Sequence, residues 1–171
     1  MLFCKTATAT TGPARALEIL GATMKNTLEA VLASKGPAIH YVVPEAKVIA
    51  AVRTMNQERI GAVLVCVSGE MVGIFTERDV LCRVVDEGRD PTATKVVEVM
   101  TSEVVAVRPT TLVEEAMAVI TEKRIRHLPV VDNDGLLKGL VSSGDLTGWA
   151  SRNQEIHITD LVNYITGRYP G

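Results

Sequence analysis

The amino-acid sequence predicts a mixed α+β fold, in which two β-α-β-β-α units pack about a pseudo-two-fold axis and carry extra N-terminal and C-terminal helices. Three observations predict it. The chain contains one long internal duplication, each copy switches hydrophobic period in the same order, and the 171 residues are 47% hydrophobic with only 4% aromatic, which suits an aliphatic globular core.

The duplication is read residue by residue. Adding 65 carries Val42, Pro44, Val48, Ala51, Arg59, Ile60 and Val65 onto Val107, Pro109, Val113, Ala116, Arg124, Ile125 and Val130. One extra turn residue (Ser68-Gly69-Glu70 against Asn133-Asp134-Gly135-Leu136) shifts the offset to 66, which carries Gly73 and Asp79 onto Gly139 and Asp145 and sets Thr76 opposite Ser142. The expected organisation is a leader over 1–23, a first unit with its N-terminal helix over 24–90, a second unit over 91–155, and a C-terminal helix and tail over 156–171.

Each unit opens with a short apolar strand, 39–43 or 104–107, stopped by Pro44 or Pro109. A helix follows: Thr111 and Glu114 stand at capping-box spacing, and Leu112, Val113, Ala116, Met117 and Ile120 recur at helical period, as do Val48, Ile49, Val52 and Met55. Two β-rich runs, 62–67 with 72–75 and 128–131 with 137–141, are joined by Gly-containing turns that suit hairpins. A closing helix opens at Thr76 or Ser142, and further helices are expected over 14–34, 94–100 and 156–166. Residues 1–23 are rich in Thr and Ala, and Lys5 and Arg15 precede the first acid, Glu18. That pattern is faintly like an organelle transit peptide; Arg15–Leu20 equally suits a helix start, and Met24 a natural first residue.

Charge and composition exclude several functions. With 18 basic and 20 acidic residues the formal charge is −2, so no bulk positive field gathers nucleic acid, and any anion site must be local. Cys4, Cys66 and Cys82 have no C-x-x-C spacing, which disfavours a disulfide framework or a zinc site and suits a reducing compartment. The cytoplasm is expected, with an organelle as the alternative if 1–23 is a transit peptide. Apolar runs such as Gly61–Val67 are far shorter than a membrane span. No catalytic constellation assembles: His40 and His157 lack partners at motif spacing, Ser142 and Ser143 lack a G-x-S-x-G setting, and no H-E-x-x-H or P-loop lysine is present.

The segments Gly73–Asp79, Arg124–Val130, Gly139–Asp145 and Leu161–Tyr169 resemble stand-alone proteins of bacteria, mitochondria and chloroplasts that carry a tandem pair of CBS motifs, the regulatory unit named after cystathionine β-synthase. The resemblance covers about residues 25–168. It implies a free-standing module with two clefts, each suited to an adenosine-type ligand: AMP first, or ADP, ATP, NADH or S-adenosylmethionine, with no metal beyond magnesium accompanying a nucleotide. In the family's Thr/Ser-x-x-Asp signature, matched by Thr76–Asp79 and Ser142–Asp145, the aspartate binds the ribose hydroxyls. It also implies a homodimer paired through the helices near Val80–Val85 and Leu146–Ala150.

The chemistry agrees with that implication. A carboxylate accepts hydrogen bonds from two vicinal hydroxyls at once, and a helix start favours a nearby phosphate. The same Thr/Ser-x-x-Asp pattern is also an ordinary helix cap, and the two roles are compatible. Arg78, Arg124, Arg126 and His127 are the phosphate-binding candidates, since arginine offers a planar fork of donors. Ile60, Gly61, Ala62, Val104, Leu128 and Pro129 are the candidates for the adenine wall. The copies differ where Gly61-Ala62 faces Arg126-His127 and Arg78 faces Gly144, so the clefts are expected to be unequal, with at most one binding tightly. The expected function is a non-enzymatic sensor that modulates a partner protein. The alternative is an interaction protein with vestigial clefts; a third reading, an enzyme using Asp79 and Asp145 as an acid-base pair, ranks below both.

Overall fold

The computed structural model describes residues 26–36 and 38–152. Helix α1 (Leu28–Lys35) precedes strand β1 (Tyr41–Val42), helix α2 (Val48–Glu58), and the hairpin β2 (Ala62–Val67) and β3 (Glu70–Thr76). The turn α3 (Glu77–Asp79) runs on as a π-helical segment, Val80–Val85. The second unit follows with α4 (Val113–Lys123), the hairpin β4 (His127–Val131) and β5 (Leu137–Ser142), and α5, helical over residues 143–152. The expected helix over 156–166 and the leader over 1–23 lie outside the described residues. No helix among the described residues is long and apolar enough to cross a membrane.

The two units repeat one topology. β1 lies parallel to β2, and β2 antiparallel to β3 with Ala62 opposite Thr76. β4 and β5 pair antiparallel with His127 opposite Ser142. The expected strand over 104–107 is not formed, and only Val107 bridges to Val130. The reason is Pro129. In the first unit the Leu64 amide donates to the His40 carbonyl, 3.1 Å. The duplicate of Leu64 is Pro129, which has no N–H to offer residue 105, so the parallel ladder cannot extend.

Two further expectations shift. The cap of α4 sits one residue later than the Thr111 spacing suggests: the Glu115 carboxylate accepts the Leu112 amide, 3.0 Å, while the Thr111 hydroxyl accepts from the Arg108 amide, 3.2 Å. The expected helix over 94–100 is a single 3₁₀ turn, Val96–Glu98. It stops because the chain leaves to join β3, where Ile74 and Thr101 exchange both backbone hydrogen bonds at 2.9 Å.

The packing crosses over between units. The first core gathers Val48, Ala51, Val63, Phe75 and Val84 with Val96 and Val99, which lead into the second unit. The second gathers Val113, Leu128, Val130 and Leu146 with Leu28 and Val31, which lead into the first. Each segment crosses a hairpin at a duplicated glycine. A Cβ on Gly73 would stand 2.6 Å from Met100 Sδ and 3.0 Å from the Thr101 carbonyl, and one on Gly139 would stand 2.5 Å from Leu32 Cδ2, so a side chain at either place would force its neighbour to shift. Between the units, Ala62, Leu64, Cys66 and Ile74 form a third buried cluster, joined by Val104, Leu137 and Leu140.

Candidate functional site

Two cavities open where the units meet, and the duplication relates them. The larger, about 750 Å³, takes Thr76, Glu77, Arg78, Asp79 and Arg83 from the first unit and Lys123, Arg124, Ile125, Arg126 and His127 from the second, with Thr101 between them. The smaller, about 420 Å³, inverts the roles: Arg59, Ile60 and Gly61 face Ser142, Ser143 and Gly144. Gly61, Glu77, Arg126 and His127 line both and form the shared wall.

Each cavity is built from two local devices. The first is an arginine that ends α2 or α4 in the left-handed conformation, Arg59 at φ 55° and Arg124 at φ 53°. Such a conformation is costly for a non-glycine residue, and it turns the chain abruptly from helix into strand at the cavity rim. The second is the helix start after β3 or β5. There the Glu77 amide donates to the Gly61 carbonyl, 3.1 Å, and the Ser143 amide to the Arg126 carbonyl, 2.9 Å, which stitches the helix start to the strand beside it.

Both aspartates form caps. Asp79 Oδ2 accepts from the Thr76 amide, 2.9 Å, and hydroxyl, 2.7 Å. Asp145 Oδ2 accepts from the Ser142 amide and hydroxyl, both 2.8 Å. Their remaining partners differ. Asp79 Oδ1 accepts from the Thr101 hydroxyl at a long 3.3 Å and lies 3.2 Å from Arg83 Nη1, a nitrogen it shares with the Val99 and Met100 carbonyls. Asp145 Oδ2 is held instead by Lys35 Nζ at 2.7 Å.

The electrostatics set the larger cavity apart. Its lining carries five cations, Arg78, Arg83, Lys123, Arg124 and Arg126, against Glu77 and Asp79. The smaller carries Arg59 and Arg126 against Glu77. Burial pushes the His127 imidazole below its ordinary value near 6.5; the Glu77 carboxylate opposes this, and the charges of Lys35 and Arg126 add to it. Burial alone would raise the Asp145 carboxyl, but the Lys35 ammonium and the Ser142 amide and hydroxyl outweigh it and hold the group below the usual aspartate value.

The larger cavity therefore gathers Thr76, Asp79, Arg78, Arg124, Arg126 and His127 at one place. Ser142 reaches the smaller one, and Asp145 lines neither of the two. Of the adenine-wall candidates, Ile60 and Gly61 line a cavity. Ala62, Val104, Leu128 and Pro129 do not: Ala62 and Val104 pack in the cluster between the units, Leu128 lies in the second core, and Pro129 is buried in β4. β2 is buried on both faces over 62–66, so its alternation turns no side chain outward.

Sequence reasoning did not single out Glu77, Arg83, Thr101, Lys123, Asn56 or Lys35. Arg83 was signalled by its place one helical turn after Asp79, and Lys123 by adjacency to Arg124. Thr101 and Lys35 reach the aspartates from distant segments, and no local pattern marks such contacts.

The CBS domain family model matches residues 34–86 and 96–152. The mitochondrial CBS domain-containing protein CBSX3 of Arabidopsis thaliana is 36% identical over 152 residues, 84% of this chain and 73% of that one. The CBS domain-containing protein YhcV of Bacillus subtilis is 37% identical over 105 residues, 61% of this chain and 74% of that one. An inferred signal-transduction protein with CBS domains from Burkholderia ambifaria superposes with a TM-score of 0.66 at 41% identity, covering 70% of this chain and 88% of that one. The duplication, the paired cavities and these likenesses agree: the chain belongs to the CBS domain family and carries a pair of CBS domains.

Proposed function

We propose that the protein is a non-enzymatic regulatory module that binds an adenine nucleotide in the larger cavity and passes its occupancy to a partner protein. The observation that carries this reading is the joining, across the two units, of a diol acceptor with a cluster of cations. Thr76 and Asp79 hold the ribose, whose hydroxyls replace the contacts of Thr101 and Arg83. Arg78, Arg124 and Arg126 hold the phosphates, and His127 donates one further hydrogen bond. Ile74, Ile125 and Gly61 supply an apolar wall for the base. The excess of cations favours AMP, ADP, ATP or NADH over S-adenosylmethionine, which is itself cationic at sulfur.

Melting the purified chain with each ligand tests the reading. A ligand at 100 times its dissociation constant adds about 2.7 kcal/mol to the folded state. A rise with AMP or ATP that exceeds the rise with S-adenosylmethionine is expected; no shift with any of them at millimolar concentration overturns the proposal. Leu81 and Val85 are 63% and 64% exposed on the π-helical segment, an apolar pair suited to burial against a second copy. Light scattering should give a dimer mass at micromolar concentration, and a monomer mass refutes that part.

A further inference from the structure

We propose that Lys35 is an internal surrogate ligand for the second cleft. Its ammonium occupies the sugar-binding carboxylate of Asp145, so the module takes one nucleotide rather than two. The inference rests on the proposed reading of Asp79 and asks why its duplicate is not equivalent.

The contacts point to Lys35. Its Nζ lies 2.7 Å from Asp145 Oδ2 and donates to the Leu140 carbonyl at 3.0 Å. The duplicate of Leu140 is Ile74, whose carbonyl accepts from the Thr101 amide. Thr101 also gives its hydroxyl to Asp79. Lys35 thus reaches the same pair of residues that Thr101 reaches in the first unit, a strand carbonyl and the capping aspartate, but it takes Oδ2, the oxygen that already serves Ser142, where Thr101 takes Oδ1 of Asp79, and it brings a full positive charge instead of a neutral hydroxyl. A sugar diol displaces a long, neutral hydroxyl contact far more readily than a short charge-assisted one.

The ammonium is held there by the fold. α1 is pinned to the second unit by backbone bonds, Leu28 amide to Thr111 carbonyl and Glu29 amide to Pro109 carbonyl, both 2.9 Å, and by Leu32 seated against Gly139. The pair abuts the shared wall, since His127 pairs with Ser142 across β4 and β5 and Asp145 accepts from the Ser142 amide and hydroxyl. Asp145 accordingly lines neither cavity, and the cavity on its side is the smaller.

Equilibrium dialysis of AMP and of ATP against the full chain, with wild type, Lys35→Met and Lys35→Met/Asp145→Asn, tests the idea. Methionine keeps the length and packing of the side chain without its charge, and Lys35→Gln serves if Lys35→Met fails to fold. One ligand per chain in the wild type, two in Lys35→Met with the second site tightened about fivefold, and one again in the double variant are expected. A stoichiometry of one in Lys35→Met, or of two in the wild type, overturns the inference while leaving the proposed function standing. Binding in none of the three overturns the proposed function and this inference with it.

Discussion

The two capping aspartates should differ in what their loss does to folding, and the difference can be worked from their contacts. The Asp79 side chain is 9% exposed and serves the Thr76 amide and hydroxyl, the Thr101 hydroxyl and Arg83. Asp79→Ala removes a cap, about 1 kcal/mol. It also leaves a part-buried amide without its acceptor, about 2 kcal/mol. The sum is about 3 kcal/mol, and at 2–4 °C per kcal/mol for a chain of this size it lowers Tm by about 6–12 °C. The Asp145 side chain is 24% exposed and Lys35 39%, so their pair contributes under about 1 kcal/mol. Water reaches the freed amide there, and Asp145→Ala costs about 1.5 kcal/mol, or about 3–6 °C. Scanning calorimetry of the two variants without ligand decides it. If Asp145→Ala melts at or below Asp79→Ala, the burial-based argument fails. The ranking bears on function, because any loss of ligand response in Asp79→Ala has to be measured against that variant's own unliganded melt.

Two further outcomes are expected. Gly73→Ala would bring a Cβ to 2.6 Å from Met100 Sδ and 3.0 Å from the Thr101 carbonyl; the thioether can swing aside, but the carbonyl is fixed by its bond from Ile74. A loss of about 1–3 kcal/mol follows in urea unfolding, whereas Gly148→Ala, inside α5 with Arg152 Nη1 at 3.5 Å, should be neutral or gain up to about 1 kcal/mol; the reverse order defeats the close-approach argument. His127 should titrate below 6.5 by NMR, so the stability it lends is complete above that pH and drains away as pH falls through its depressed folded value; Lys35→Met should raise its midpoint by removing one nearby cation. A midpoint at or above 6.5 in the wild type contradicts the burial that the fold assigns to it.

The unit topology was legible because hydrophobic period and turn residues are local, and a duplicated chain states each signal twice. Ala62–Val67 forms the strand its run of apolar residues predicts. The misreadings fall where a distant partner decides. Residues 104–107 carry a strand pattern that fails for want of one N–H across the ladder at Pro129, and residues 94–100 carry a helix pattern cut short by the pairing of Thr101 with β3. The larger cavity brings Arg124, Arg126 and His127 together, and they stand out in the sequence because they are nearly contiguous and because Arg126 and His127 differ from their duplicates Gly61 and Ala62. The adenine-wall candidates divide between cavity and core, since apolar residues beside a cleft and apolar residues in a core look alike until burial is known. Ala62, Val104, Leu128 and Pro129 went to packing.

The difference between the two capping aspartates traces to one pair of duplicated positions. One turn after Asp79 stands Arg83, which pairs with that aspartate from its own helix and donates to the Val99 and Met100 carbonyls at 2.9 and 2.6 Å. One turn after Asp145 stands Trp149, which carries no charge to form an ion pair. It packs against the second core and donates its indole N–H to Asn26 Oδ1 at 3.2 Å, fixing the entry to α1. With no cation one turn along its own helix, Asp145 takes one from α1, and the tryptophan at that position holds the helix that supplies it. An aspartate served from its own helix lines the larger cavity, whereas the one served from α1 lines neither. On the proposed reading, the difference between Arg83 and Trp149 is what separates the aspartate open to a sugar from the one latched by Lys35.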